Sequence, residues 1–144
     1  TCALPISPGK GISMTFTVSA PAGAVFDYRT NPNNTCGKGY PGTVRLFIDR
    51  AGDDGQAQHY RYWSTPGFSA LAPGQFTITA NWDPTLWTDV YGAKGSDFPS
   101  DFAAAISNMA QVGMTFGGGC FYGHGVFNSG AGPAVFTINS FTVQ

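Results

Sequence analysis

The stretch V-G-M-T-F-G-G-G-C-F-Y-G-H-G-V, Val112 to Val126, decides how the rest of the chain is read. Val112, Met114 and Phe116 alternate with Gly113, Thr115 and Gly117, so an extended strand here has one apolar face and one small or polar face. Gly117, Gly118, Gly119 and Cys120 then interrupt it, and a second short run from Phe121 to Phe127 places Gly123 and Gly125 on either side of His124. Two strands joined through glycines predict a hairpin or a sharply bent ribbon. The glycines permit positive φ or the close approach of another backbone or a ligand. Either the segment is a tight sandwich corner pinned by a disulfide, or it presents Tyr122 and His124 to a ligand.

Working outward, the same period-2 signal recurs. Ile12, Met14, Phe16 and Val18 alternate with Ser13, Thr15, Thr17 and Ser19 between Gly11 and Ala20. Shorter strands are expected over Ala24–Arg29, Thr43–Arg50, Ala57–Ser64 and Gln75–Asn81, with a glycine- and proline-rich loop from Asn31 to Gly42 and another from Pro66 to Gly74. In Ala57–Ser64, Tyr60 and Tyr62 fall on one face and His59, Arg61 and Trp63 on the other. Trp82 to Gly95 has no clean period, and Trp82, Trp87 and Tyr91 in it read more naturally as the plug of a long connection than as a platform. One helix is expected from Pro99, with Ser100 as cap and Phe102, Ile106 and Met109 on one face. In the closing strand, Pro133 to Val143, apolar parity changes between Phe136/Ile138 and Phe141/Val143, which implies a β-bulge near Asn139 and Ser140. Strands about ten residues apart with one short late helix predict an all-β, two-sheet antiparallel sandwich occupying residues 1–144 as a single domain.

Composition narrows the function classes. Charged residues make up 10% of the 144 residues and aromatics 15%, with 20 glycines and 10 prolines. Disorder asks for the opposite balance. A formal charge of −1 gives no electrostatic reason to expect nucleic acid or an anionic membrane as partner. No apolar run approaches the ~20 residues that span a bilayer. A weakly charged chain rich in aromatics suits neutral ligands, of which sugars are the largest class. Cys2, Cys36 and Cys120 lack the close pairs of a zinc site, so a disulfide in an extracytoplasmic chain is the better reading. Cys36 and Cys120 sit in glycine-rich loops and are the favoured pair. Cys2 is then free, linked to another chain, or the true partner of one of the others. A start at Thr1 fits a processed secreted chain, and equally a trimmed one.

Catalysis finds little support in the residue pattern. His59 and His124 are the two histidines, no G-x-S-x-G or H-E-x-x-H occurs, and no pair of carboxylates stands out as flanking a cleft. The expected role is non-catalytic. No cofactor is expected, although a structural calcium ion could be fixed by Asp53, Asp54 and Asp97. Sugar binding is the economical reading: apolar sugar faces stack on Trp and Tyr while Arg, His, Asn and Asp bond the hydroxyls. His59, Arg61 and Trp63 have that mix, with Trp63 as stacking platform, and Tyr122 and His124 extend it if their strand lies nearby. Against this stand core packing for Trp63 and an Arg61–Asp49 ion pair.

The order of short strands, the loop and helix before V-G-M-T-F-G-G-G, and the ending A-V-F-T-I-N-S-F-T-V resemble the galactose-binding-like jelly-roll domains, many of which are carbohydrate-binding modules of bacterial polysaccharide-degrading enzymes. The resemblance covers most of the chain at the level of fold and implies saccharide binding by analogy. The competing expectation is a structural cell-surface or filament subunit that self-assembles through its aromatic surfaces.

Overall fold

A computed structural model describes residues 10–28, 41–119 and 121–144. The fold is mostly strand with one α-helix: β1 Gly11–Ser19, β2 Phe26–Tyr28, β3 Thr43–Arg50, β4 Arg61–Ala70, β5 Gly74–Asn81, β6 Trp87–Asp89, α1 Pro99–Ser107, β7 Met109–Gly117, β8 Val126–Asn128 and β9 Val135–Val143. Two antiparallel sheets, ordered β5-β1-β9 and β6-β4-β3-β7, contribute to one hydrophobic core, and β2 pairs with β8 alongside. The architecture is all-β and sandwich-like.

The core follows from strand periodicity. Ile12, Met14, Phe16 and Val18 of β1 pack with Val44, Leu46 and Ile48 of β3, Tyr62 of β4, and Ile78 and Ala80 of β5. Burial of each of the larger side chains contributes roughly 1.5–3 kcal/mol. The alternate residues of the first sheet carry hydroxyls that bond across strands, Ser13 to Thr79 at 3.0 Å and Thr15 to Thr77 at 2.9 Å, as cross-strand pairing on a solvated face favours. In β9 the pairing with β1 passes from Ser140–Thr15 to Ile138–Phe16, which leaves Asn139 bulged and turns both Phe136 and Phe141 toward the core. The bulge stands where the parity of the sequence placed it.

Helix α1 starts with Pro99 in its first turn and Asp101 beside the N-terminal amides, and buries Phe102, Ala105 and Ile106. Its N-cap is Phe98, with no side-chain cap, so Ser100 does not cap it. Met109 lies beyond the helix and begins β7, three residues ahead of the expected strand start. Trp82 and Trp87 stack at 5.6 Å within the core, and their indole N–H groups donate to the carbonyls of Gln144 and Asn81. They form part of the plug that the sequence suggested, whereas Tyr91, expected with them, is 73% exposed and lies outside the core.

β4 departs from expectation at both ends. It begins at Arg61 rather than Ala57, and it runs through Pro66 to Ala70 instead of ending at Ser64. Proline cannot donate to a ladder, and the strand accommodates it at a wide irregularity where Leu46 faces the interval between Trp63 and Phe68. There the Leu46 N–H donates to Ser64 Oγ, and Ser64 Oγ donates to the Gly67 carbonyl. A side chain thus replaces a missing main-chain rung. Among the described residues no helix is long and apolar enough to cross a membrane.

Candidate functional site

The outer face of β6-β4-β3-β7 carries Arg45, Phe47 and Asp49 of β3 opposite Phe68, Trp63 and Arg61 of β4. The segment after β7 folds over this face. At Gly117 an added Cβ would lie 1.9 Å from the Phe121 carbonyl oxygen, and at Gly118 it would lie 2.3 Å from the Tyr28 ring. Only glycine permits that approach, so the glycine run of Val112–Val126 is what lets the 121–125 turn lie down on the sheet. Gly118 and Phe121 exchange backbone hydrogen bonds of 3.1 and 2.9 Å, and Gly125 donates to the Phe116 carbonyl at 2.8 Å. The second run therefore forms a tight turn that leads into β8, which pairs with β2 and not with β7.

Polar contacts fix the turn to the sheet. Trp63 Nε1 donates to Thr115 Oγ1 at 3.0 Å, and that hydroxyl donates to the Tyr122 carbonyl at 2.7 Å. The Arg45 guanidinium lies between the Phe68 ring at 4.2 Å and the Tyr122 ring at 4.0 Å, and donates to the Ser64 carbonyl and Thr65 Oγ1. Burial lowers the Arg45 pKa from its ordinary value, with Tyr122 opposing the shift. Aromatic faces, which attract cations, flank this buried charge.

Opposite the 121–124 turn stands the turn after β6, built around Asp89. Its side chain is 1% exposed. Asp89 Oδ1 accepts from the Tyr91 and Ala93 N–H groups at 2.9 Å each, and Oδ2 accepts from His59 Nδ1 at 2.8 Å. Gly92 closes the turn at φ +82°. The result lifts Tyr91 into solvent at 73% exposure. Between the two turns lies a cleft of about 450 Å³, lined by Arg61 and Trp63 of β4, the 89–92 turn and the 121–124 turn.

Four of the five residues that the sequence singled out line this one cleft: Arg61, Trp63, Tyr122 and His124. His59 does not share the outward face of β4, because the strand starts after it. Its ring packs at a tilt of 31° against Phe98, with centroids 4.1 Å apart, and its Nδ1 faces Asp89. Trp63 is 8% exposed, covered by Phe47 at 5.2 Å and by the Tyr122 turn, so it forms the base of the cleft and offers no open ring face for stacking. The exposed ring is that of Tyr91. Arg61 is ion-paired at 2.7 Å, with Asp53 rather than Asp49.

Asp49 sits across the ladder from Arg61, and its carboxyl is raised above its ordinary pKa by burial first and by the charge of Asp53 second, with Arg61 opposing. A folded-state pKa above the unfolded one gives stability that is present below the unfolded carboxylate range and lost as pH rises through the folded value. Asp49→Asn is therefore expected to match or exceed the wild-type melting temperature at pH 7. The comparison should turn in favour of the wild type as pH falls toward 4, in thermal denaturation followed by circular dichroism.

The sequence reads Tyr91 as part of a plug and does not single out the Asp89 to Gly92 turn as a site, although D-V-Y-G has the aspartate-to-glycine composition of a turn. Among the described residues no group of three or more His, Cys, Asp or Glu side chains could hold a metal ion. Asp53, Asp54 and Asp97 accept from the backbone N–H groups of Gly55, Gln56 and Lys94, so each of these carboxylates shapes a turn. Cys2, Cys36 and Cys120, and with them the favoured disulfide, lie outside the described residues. Comparison with known proteins finds no family model, no curated protein and no solved structure that matches this chain.

Proposed function

We propose that this chain is a secreted or cell-surface, non-catalytic carbohydrate-binding domain of the galactose-binding-like jelly-roll type, which takes a saccharide in the cleft between the 89–92 and 121–124 turns. The observation that carries this reading is the exposed Tyr91 ring on the same cleft as Arg61, Tyr122 and His124. A tyrosine brings apolar area to a sugar face at little loss of side-chain entropy, and its hydroxyl can bond as well. The cleft volume falls within the ~300–1,000 Å³ typical of small-ligand sites.

The non-catalytic part of the reading rests on how the nearby carboxylates are used. Asp89 is spent on His59 and two backbone amides, and Asp53 on Arg61 and the Gly55 amide. A glycosidase of the usual kind needs two carboxyl groups facing a scissile bond with capacity to move protons or attack.

A glycan array with the purified domain tests the reading, followed by titration of the best ligand against Tyr91→Ala. The variant is expected to bind at least about tenfold more weakly, as for loss of an aromatic anchor. Its melting temperature should stay within about 2 °C of wild type, because an exposed side chain contributes little to folding. Unchanged affinity in Tyr91→Ala, or no glycan bound at all, would reject the assignment.

A further inference from the structure

We infer that the ligand is an uncharged, short saccharide or the uncharged end of a longer chain, and not an anionic glycan or a crystalline polysaccharide surface. This inference rests on the saccharide reading above and concerns what the same cleft admits.

The permanent charges beside the cleft, on Arg61, Asp89 and Arg45, already have partners within the protein. Arg61 is ion-paired with Asp53 and its Nη2 donates to the Gly55 carbonyl at 2.8 Å. Asp89 accepts from His59 Nδ1 and two backbone amides. Arg45 lies behind Tyr122, 6% exposed, with its guanidinium flanked by two aromatic rings. A uronate or sulfated sugar entering the cleft would lose hydration without gaining a free guanidinium or ammonium to replace it, and an unpaired charge in such a place is strongly disfavoured. A neutral sugar meets no such penalty. Its hydroxyls can bond to His124, the Tyr91 and Tyr122 hydroxyls and turn backbone.

Shape argues in the same direction. A crystalline polysaccharide presents a flat face, which is matched by several exposed rings in one plane. Of the large hydrophobic residues exposed at the surface, Tyr91 and Val90 line this cleft, and Phe68, Phe98 and Phe127 do not. One exposed ring at the rim of a recess suits one sugar ring of a chain that can enter it.

Isothermal titration calorimetry of the purified domain tests the inference with cellotetraose, xylotetraose, mannotetraose and galactotetraose against tetragalacturonate, beside pull-down on microcrystalline cellulose and chitin powders. The expected result is binding of a neutral tetrasaccharide, weakened at least tenfold by Tyr91→Ala. Its dissociation constant should change less than about twofold between ~0.05 and ~0.5 M salt, since ionic screening acts on charged partners. A tenfold preference for tetragalacturonate that salt abolishes, or retention on the powders without binding of any soluble chain, would overturn the inference while leaving saccharide binding in place. Absence of binding to every soluble and insoluble probe would overturn both.

Discussion

Asp89→Ala is expected to lower the melting temperature by roughly 10–20 °C and to weaken ligand binding in the same variant. The carboxylate is buried and takes three donors: the Tyr91 and Ala93 amides and His59 Nδ1. Removing one partner of a buried, hydrogen-bonded pair typically destabilises by about 3–5 kcal/mol, because the groups left behind keep their desolvation and lose their bond. For a chain of this size each kcal/mol is worth roughly 4 °C in melting temperature. The turn that carries Tyr91 is shaped by those bonds together with the Gly92 N–H to Asp89 carbonyl bond of 3.0 Å and the Asp89 N–H to Ala93 carbonyl bond of 2.8 Å. Binding should therefore fall even at a temperature where the variant remains folded. His59→Ala removes one of the three bonds and leaves the two amide bonds, so its effect should be the smaller. Thermal denaturation of the two variants side by side checks the order. Equal, small shifts would mean that Asp89 does not organise the turn.

Trp63→Ala should produce a loss of similar size for a different reason. Its indole lies against Phe47 and under the Tyr122 turn, and its N–H leads through Thr115 Oγ1 to the Tyr122 carbonyl. Truncating a buried tryptophan leaves a cavity and typically removes about 3–5 kcal/mol, again roughly 10–20 °C. Were Trp63 an exposed stacking platform, as its alternation with Tyr62 suggests, the same change would leave the melting temperature nearly untouched. Trp63→Phe separates the two contributions: it keeps most of the packing and deletes the hydrogen bond to Thr115, and should destabilise by only about 1 kcal/mol. Urea denaturation of both variants reads these differences directly.

What the sequence discloses is set by locality. Period-2 patterning in Gly11–Ser19 and Thr43–Arg50 needs no knowledge of neighbours, because each strand presents one face to a common core. The five-residue offset between Phe136 and Phe141 likewise carries its bulge within itself. Pro66 misleads, because local chemistry says that the strand ends there, while a serine hydroxyl arriving between Leu46 and Gly67 supplies the missing rung. Arg61, Trp63, Tyr122 and His124 are recognisable as polar and aromatic residues of the right kind, but their meeting depends on a turn crossing the sheet at Gly117. Which ring is open depends on that crossing too. The turn covers Trp63, whereas the hydrogen bonds of Asp89 raise Tyr91, and neither arrangement is written in periodicity. His59 illustrates the limit most plainly: its parity puts it with Arg61 and Trp63, and its partner lies thirty residues away.

Mapping of amide and indole chemical shifts by ¹H–¹⁵N correlation spectroscopy, with the best-bound neutral saccharide added stepwise, tests the location of the site most directly. The largest shifts should fall on Val90 to Gly92, on Tyr122 to His124, and on the Trp63 indole N–H, which reports the Tyr122 turn through Thr115. Shifts concentrated instead on the hydroxyl-bearing face of β5-β1-β9, with those residues unmoved, would place the ligand elsewhere and contradict the cleft as the binding site.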